Sequence, residues 1–335
     1  MGQLSSLVNN RFLSKGPFYV VFHVTSRCNA RCEFCFNWEN VANFQQRKDL
    51  SIDELKIITE KMPHFQQLTI GGGEPFIRKD LDQVVSLFSK NCDVQAVTIP
   101  TNATLSDRVG ITLRSMLASN PSVHFRIGLS LPEMGDGLDS VYKVKNSWRK
   151  YQKTFEIINE LSKEFSNLTI HVGIVCHKDN MERVPFLLDH VANNMPGAVA
   201  FLNVIRGNPM DEELKDIDID KMKELYEYRN KLFKNKDNRP FNSILYALHD
   251  MVEDNTLKIL EEKQAVLPCR CGEKMVVIYD NGDVFPCEYL EDSPLGNLRE
   301  QDYDLMSILH AKQARDVVRE IIDTKCVCTW ECANH

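Results

Sequence analysis

Between residues 18 and 205, short β-branched apolar runs alternate with longer amphipathic stretches. This alternation constrains the fold more than any other feature, because it is typical of βα units wound around a parallel sheet. The predicted strands are Phe18–Val24, Gln67–Ile70, Val94–Pro100, Val123–Ser130, Leu168–Val175 and Val199–Ile205. Helices are predicted after the Ser51 capping box and at 80–90, 106–119, 148–165 and 181–194. Six such units predict an α/β fold, a partial (β/α)6 TIM-like barrel of parallel strands.

The length of the chain leaves room for more than this barrel. It has 335 residues, whereas a barrel domain commonly takes about 250. We assign residues 1–17 to an N-terminal extension and 18–210 to the barrel. Residues 211–267 are rich in Glu, Lys, Leu and Tyr at helical spacing, and they predict a helical linker of two helices separated by Pro240.

Residues 268–335 have a different character and are rich in cysteine. Asn281-Gly282 lies between two apolar runs and predicts a hairpin with a type I′ turn, which needs positive φ at both central residues. A helix is predicted at 302–322. Six cysteines flank these elements, namely Cys269, Cys271, Cys287, Cys326, Cys328 and Cys332. They predict a small C-terminal α+β domain organised by metal, which we expect to close the bottom of the barrel.

The composition excludes several classes of protein. The hydrophobic content of 43% and charged content of 26% are those of a globular chain. A net charge of -7 argues against a broad nucleic-acid surface. No apolar run reaches the roughly 18 residues of a membrane span, and the N-terminus lacks the apolar core of a signal peptide. We therefore expect a cytoplasmic protein.

The distribution of the eleven cysteines indicates metal binding, because a reducing compartment does not favour disulfides. Cys28, Cys32 and Cys35 follow the first strand, while Cys92 and Cys176 stand alone and are interpreted as buried thiols. The spacing CxxxCxxC places three thiolates around one small volume. A cubane iron–sulfur cluster has four irons, so three cysteines leave one iron open to bind and activate a small molecule. A zinc site is the alternative, both here and in the tail.

Other chemistry-bearing residues follow predicted strands at their C-terminal ends, where ligands of βα folds collect. The run Gly71-Gly-Gly-Glu-Pro75 follows the second strand. Its glycines let a ligand approach the backbone, and Glu74 can receive an ammonium group. Thr101-Asn102, Ser130 and Arg206 end strands three, four and six, and they offer groups suited to hydroxyls or a carboxylate.

The cysteine triad after strand one and Gly-Gly-Glu-Pro after strand two resemble the radical S-adenosylmethionine (SAM) superfamily, over the whole βα portion. The resemblance implies that Cys28, Cys32 and Cys35 hold a SAM-binding 4Fe-4S cluster. In that superfamily the open iron is chelated by the amino and carboxylate groups of SAM, which is cleaved to a 5′-deoxyadenosyl radical that abstracts hydrogen from substrate. The implied cofactor-binding residues are Phe34 near the adenine, Gly72, Gly73 and Glu74 at the amino group, and Ser130 near the ribose or carboxylate. Thr101, Asn102 and Arg206 are further implied cofactor-binding residues, and they end strands at which members of the family differ from one another. The usual Asp-Gly after the strand-four Ser is replaced by Leu131-Pro-Glu.

The tail resembles the SPASM and twitch auxiliary-cluster domains of that superfamily. Cys271, Gly282 and Cys287 fit their opening pattern C-x(9–15)-G-x4-C, and Cys328-x3-Cys332 resembles their closing pair. A full SPASM domain has seven cysteines and two clusters, whereas this tail has six cysteines and a C-x-C segment. The resemblance implies at least one auxiliary 4Fe-4S cluster, held by Cys271, Cys287 and Cys332 with one of Cys269, Cys326 and Cys328. Two clusters remain an alternative.

The resemblance implies an enzyme that oxidises or cross-links its substrate. The auxiliary cluster would accept the electron left after hydrogen abstraction or pass electrons to the first cluster, which an external donor such as flavodoxin or ferredoxin would reduce. A ribosomal peptide and a sugar- or aminocyclitol-type small molecule are equally open as substrates. The short N-terminal extension disfavours cobalamin methylases and leader-dependent peptide maturases. The hypothesis from another class is a non-catalytic iron–sulfur electron carrier or cluster scaffold.

Overall fold

The computed structural model describes residues 16–234 and 242–329. Its first six strands are β1 (Tyr19–Thr25), β2 (Gln67–Gly72), β3 (Ala96–Thr101), β4 (His124–Ser130), β5 (Leu168–Cys176) and β6 (Ala198–Val204). All six predicted strands are confirmed, with bounds that differ by one or two residues. They pair in parallel in chain order from β1 to β6, which confirms the predicted parallel sheet.

Helices connect these strands and cover the outer face of the sheet. The helices up to β6 are α1 (Trp38–Ala42), α2 (Ile52–Lys61), α3 (Leu81–Cys92), α4 (Ser106–Ser119), α5 (Asp136–Tyr142), α6 (Ser147–Glu164) and α7 (Val184–Asn194). The predicted capping box of α2 is present, because Ser51 Oγ accepts a hydrogen bond from Glu54 N and the Glu54 carboxylate accepts one from Ser51 N. The short helices α1 and α5 were not predicted, since neither is long enough to show a clear helical period.

The hydrophobic core lies between the strands and these helices. Along β1, Val20, Phe22 and Val24 belong to this core, whereas alternate residues face the inside of the barrel. Cys92 and Cys176 are fully buried in the same core, as expected of ordinary thiols. The inner face of the sheet is therefore left for polar residues and for a ligand.

The C-terminal hairpin extends the barrel sheet at its β1 edge. Strand β7 (Met275–Ile278) pairs in parallel with β1, and β8 (Asp283–Phe285) and β9 (Gly296–Asn297) follow in antiparallel order, giving nine strands in the described residues. Cys271 and Cys287 thus lie near the N-terminal end of β1, in a small apolar cluster with Tyr19. The tail therefore joins the barrel sheet edge to edge through β1, a contact that the expected closure of the barrel bottom did not include.

The hairpin turn differs from the predicted type I′. Gly282 has a φ of +91°, but Asn281 lies outside the left-handed region. Gly282 N instead donates to Tyr279 O at 2.9 Å, and Tyr279 N donates to Asp283 O at 2.8 Å. The longer loop leaves the Asn281 side chain free to accept a hydrogen bond from Arg47 Nη2. The predicted two-residue type I′ turn is therefore wrong, and the glycine of the Asn-Gly pair alone adopts the left-handed conformation.

The predicted helix at 302–322 is two helices. Helix α10 (Leu305–Leu309) is capped by Asp304, and α11 (Lys312–Asp323) begins after Ala311, which is extended at φ −64° and ψ 156°. The break lets both Ile308 and Ala314 reach the hydrophobic core, which a continuous helix along one line does not achieve.

The linker contains two helices, α8 (Ile219–Phe233) and α9 (Asn242–Glu262), as predicted. Pro240, the predicted separator, lies outside the described residues. Among the helices described, none has the length and apolar character that crossing a bilayer requires.

Candidate active site

The loop after β1 carries the first three cysteines, Cys28, Cys32 and Cys35. Arg31 N donates to Tyr142 O at 3.0 Å, which ties the loop to the end of α5. The Arg31 guanidinium donates to the carbonyl oxygen of Cys28 at 2.7 Å. The loop is therefore held at the barrel mouth by contacts of the protein itself.

The three thiols share one buried environment. Burial raises the pKa of Cys28, Cys32 and Cys35, to about 12 for Cys28. Charges on neighbouring thiols raise the pKa of Cys28 and Cys32 further, so these thiols act on one another electrostatically. The Ala30 amide donates to Cys28 Sγ at 3.4 Å, and the Asn37 amide donates to Cys35. Amide donors favour thiolates, and a bound cation would supply the remaining stabilisation.

Within the described part of the chain, no three His, Cys, Asp or Glu side chains are close enough to hold a single metal ion. A cubane places each thiolate on a separate iron. The shared burial, the mutual effects on pKa and the amide donors are therefore what make the three thiols fit such a cluster.

Gly72 and Gly73 pack against the backbone of the cysteine loop. Gly73 N donates to Thr25 O at 2.8 Å, and Glu74 N donates to Arg27 O at 2.9 Å. A Cβ on Gly73 would lie 2.2 Å from Arg27 O. A Cβ on Gly72, whose φ is +113°, would lie 2.4 Å from Thr25 O. Only glycine fits at both positions, so the end of β2 sets the position of the cysteine loop.

The Glu74 carboxylate connects the ends of β2 and β3. Its side chain is 1% exposed and accepts hydrogen bonds from Thr101 Oγ1 and Asn102 N, both at 2.8 Å, and from Phe76 N at 3.2 Å. Burial raises the pKa of Glu74 to about 7. A carboxylate has about four acceptor sites, so one site remains for a ligand ammonium. Asn102 Nδ2 also donates to Asn29 Oδ1 at 2.9 Å, which brings the cysteine loop into the same network.

Ser130 and Arg206 line a cavity of about 490 Å³ on the inner face of β3 to β6. The Tyr142 hydroxyl donates to Ser130 O at 2.7 Å. Phe34 is not among the residues that line this cavity, and its ring stacks on His177 with centroids 5.8 Å apart. The structure therefore brings Ser130 and Arg206 to one cavity and does not bring Phe34 into its lining.

The tail cysteines in the described residues form a second group, made of Cys269, Cys271, Cys287, Cys326 and Cys328. The Cys271 side chain hydrogen-bonds to those of Cys269 and Cys287. Burial and the charges of its cysteine neighbours raise the pKa of Cys326 to about 11. Cys332 lies outside the described residues. The remaining five provide enough thiols for a four-cysteine cluster.

Side-chain contacts join the two cysteine groups. Glu288, which follows a tail cysteine, has its Oε1 2.6 Å from Nε2 of His23, a residue 1% exposed. The charge of Glu288 also contributes to the raised pKa of Cys35, after burial. The rings of Phe36 and Tyr289 meet edge to face at 5.4 Å. The tail therefore reaches the loop that carries the first cysteines.

Sequence reasoning missed three residues of this arrangement. Asn29 lies inside the CxxxCxxC motif, so its position was a usable signal. Tyr142 and Glu288 reach the site through contacts distant in sequence, which no local pattern reveals.

Comparison with known protein families identifies the superfamily of this chain. Residues 22–191, half of the chain, match the model of the Radical SAM superfamily. The chain belongs to the radical SAM superfamily. Residues 269–333 match the SPASM iron-sulfur cluster-binding domain. The radical SAM resemblance and the C-terminal SPASM assignment are thus confirmed.

The radical SAM chain is similar to several named proteins. It is 26% identical over 141 residues to a GTP 3′,8-cyclase of Desulforamulus reducens, across 42% of this chain and 43% of the relative. It is 30% identical over 175 residues to a PqqA peptide cyclase of Bradyrhizobium diazoefficiens, across 51% of this chain and 42% of the relative. These matches span less than half of either relative. The structure of Streptococcus suis SuiB bound to the precursor peptide SuiA has a TM-score of 0.64 at 18% identity, and covers 95% of this chain and 70% of SuiB.

This membership establishes the class and the cofactors. The protein is an enzyme, and its radical SAM domain binds a 4Fe-4S cluster and SAM. Its SPASM domain binds auxiliary iron–sulfur clusters. The two sets of cysteines described above, one in the loop after β1 and one in the tail, fit these clusters because of their number and their shared burial.

Proposed function

We propose that the protein reductively cleaves SAM, abstracts a hydrogen atom from a peptide, and oxidises or cross-links that peptide with help from an auxiliary 4Fe-4S cluster. We place it in the cytoplasm, where thiols stay reduced. We assign the radical SAM barrel to residues 18–210, the linker to 211–267 and the auxiliary domain to 268–335.

The observation that carries the proposal is the packing of the β2 glycines against the cysteine loop. Gly73 leaves no room for a side chain beside Arg27 O, and Glu74 N donates to the same oxygen. The cysteine triad and the Gly-Gly-Glu motif are therefore one structural unit. An electron carrier or scaffold needs the thiols but has no need for a ligand-binding carboxylate fixed beside them.

Each residue of this unit has its own proposed role. Cys28, Cys32 and Cys35 would hold three irons. When bound and reduced, the cluster with SAM supplies a 5′-deoxyadenosyl radical. Glu74 would accept a hydrogen bond from the SAM ammonium while its bonds to Thr101 and Asn102 keep the carboxylate in place. The inner face of the barrel excludes water from the reacting groups.

Other residues complete the cofactor site. We propose that Ser130 lies near the ribose or carboxylate of SAM and that Arg206 can pair with a carboxylate. Phe34, whose ring stacks on that of His177, is proposed to lie near the adenine.

The tail cysteines are proposed to ligate the auxiliary cluster. The candidate ligands are Cys271, Cys287 and Cys332, with one of Cys269, Cys326 and Cys328. After hydrogen abstraction the substrate radical would lose one electron to this cluster and one proton, so the peptide undergoes a net oxidation. An external donor such as flavodoxin or ferredoxin would reduce the first cluster.

Two relatives support a peptide substrate, since one is named a PqqA peptide cyclase and SuiB is seen with a precursor peptide. The GTP 3′,8-cyclase relatives keep a small-molecule substrate as the second candidate.

The test is to incubate the reconstituted, dithionite-reduced protein with SAM and measure 5′-deoxyadenosine. We expect it from wild type and from Cys92→Ala, which removes a buried thiol outside the site. We expect none from the triple Cys28→Ala, Cys32→Ala, Cys35→Ala variant. A carrier or scaffold would form none even as wild type. Adding a peptide encoded beside the gene should then give a product lighter by two hydrogens, and an unchanged peptide mass would favour the small-molecule candidate.

A further inference from the structure

The linker helix α9 forms one wall of the cavity that Ser130 and Arg206 also line. From α9, His249, Glu253 and Thr256 line this cavity. The sequence pattern indicated only a connection between two domains here. The helix instead faces the space in which the cofactor-binding candidates lie.

A buried ion pair stands behind this wall. Arg229 of α8 is fully buried, and its Nη2 donates to Glu253 Oε1 at 2.5 Å. Asn230 Nδ2 donates to the other carboxylate oxygen at 3.1 Å. Apolar residues could fill the same volume without the cost of removing two charges from water. Stability alone therefore does not account for the buried Arg229–Glu253 ion pair.

The same guanidinium fixes the tautomer of His249. Arg229 Nη2 lies 2.9 Å from His249 Nδ1. A guanidinium has donors and no acceptor, so Nδ1 must accept. The neutral imidazole then carries its proton on Nε2. The ring of His249 also packs on Phe201, with centroids 4.7 Å apart, and Phe201 packs on His171 at 4.6 Å. Tautomer and ring plane are both set by the protein.

We propose that His249 contacts the substrate, with its Nε2–H donating a hydrogen bond to an amide carbonyl of a peptide, and that Arg229 and Glu253 are positioning residues for it. The inference rests on the proposed function and deepens it. The His249 side chain is 32% exposed and lines the cavity, so it is open to a ligand. Among the residues lining the cavity, Glu253 is the sole carboxylate, and it is paired with Arg229. The wall therefore offers a donor and an aromatic face, and it disfavours a cationic group.

The first experiment measures the tautomer. Long-range ¹H–¹⁵N spectra of the full chain, labelled at histidine, should show His249 as the Nε2–H form, identified by the signal lost in His249→Gln. The Arg229→Met and Glu253→Leu double variant removes both buried charges and avoids leaving one unpaired. In it we expect a mixture of tautomers. A wild-type spectrum with the proton on Nδ1, or an unchanged tautomer in the double variant, would overturn the positioning role.

The second experiment measures binding of N-acetylalanine methylamide, a probe whose polar groups are amides. We expect the probe to shift the His249 Nε2–H signal and to bind His249→Leu about fivefold more weakly, the effect of one neutral hydrogen bond. His249→Gln restores a donor and should recover binding. His190→Leu is the matched control, because His190 packs on Trp148 and is not among the cavity-lining residues.

Equal binding by wild type and His249→Leu, or no shift of the His249 signal at saturating probe, would refute the substrate contact. Butylammonium, which has no acceptor, should not shift the signal. Formation of 5′-deoxyadenosine from SAM alone is measured on every variant. If wild type forms none, the proposed function fails independently of the probe result. If it forms and the probe does not discriminate, only the role of His249 fails.

Discussion

Replacing Gly73 with alanine should misplace the cysteine loop without unfolding the barrel. The new Cβ would lie 2.2 Å from Arg27 O and 2.5 Å from Arg27 C, both backbone atoms that cannot rotate away. Ordinary contact begins near 3.4 Å, so the loop must move by about 3.4 − 2.2 = 1.2 Å. A shift of about 1 Å can cost roughly 100-fold in rate when it misorients reacting groups. We therefore expect 5′-deoxyadenosine formation to fall by on the order of 100-fold.

The matched control is Gly71→Ala in the same glycine run. A Cβ there would meet the His23 ring at 3.5 Å, which is ordinary contact. We expect Gly71→Ala to keep the wild-type rate within about threefold, less than 1 kcal/mol. Iron content and the thermal midpoint are measured on both variants. A Gly73→Ala protein that folds, binds iron and cleaves SAM as fast as Gly71→Ala would refute the argument that the β2 glycines position the loop.

Three further predictions concern pH and cluster content. Burial raises the folded-state pKa of Glu74 to about 7, so the free energy of unfolding should decrease as pH rises from about 4.5 to 7. In urea titrations the Glu74→Gln variant should lack on the order of 3 kcal/mol of this decrease, because one unit of pKa shift corresponds to about 1.4 kcal/mol. Arg299 donates to Glu54 at 2.6 Å and lowers the pKa of Glu54 to about 2. This pair stabilises the fold above about pH 4.5, and the stabilisation is lost as pH falls towards 2. The Arg299→Met variant should lose about 1–2 kcal/mol of unfolding free energy at pH 7 and less at pH 3, and equal losses at both pH values would contradict this. Cys271→Ala should lose the auxiliary cluster in iron analysis but still form 5′-deoxyadenosine from SAM, and retention of all iron would contradict its role as a ligand.

The barrel was predictable because its signals are local. The β-branched runs of β1 to β6 are buried strands, and a period of two or 3.6 residues is visible in a single segment. The attachment of the tail was not predictable. Tyr19 of β1 pairs with Met275 of β7, a contact across most of the chain that depends on edge pairing rather than on local pattern. The hairpin turn also differs from its prediction, since Asn281 does not adopt positive φ.

The site was predictable where chemistry sets the spacing. Cys28, Cys32 and Cys35 are proposed to hold one cluster, and their spacing is a local signal of that role. The two glycines before Glu74 lie against backbone atoms of the cysteine loop, as the glycine run indicated. The residues that couple elements were less visible. His23 lies within an apolar strand and no motif marks it, yet its Nε2 lies 2.6 Å from Oε1 of Glu288 in the tail. Such a pairing leaves no trace in either segment alone.

We propose that the thiolates of Cys28, Cys32 and Cys35 hold a cluster whose fourth iron binds SAM. Electron–nuclear double resonance on the reduced protein, with SAM labelled by ¹³C at its carboxylate and ¹⁵N at its amino group, tests this directly. We expect hyperfine coupling of both labels to the cluster held by Cys28, Cys32 and Cys35, and its loss in Cys32→Ala. Absence of coupling in the wild-type protein with SAM bound, or wild-type coupling in Cys32→Ala, would contradict the account.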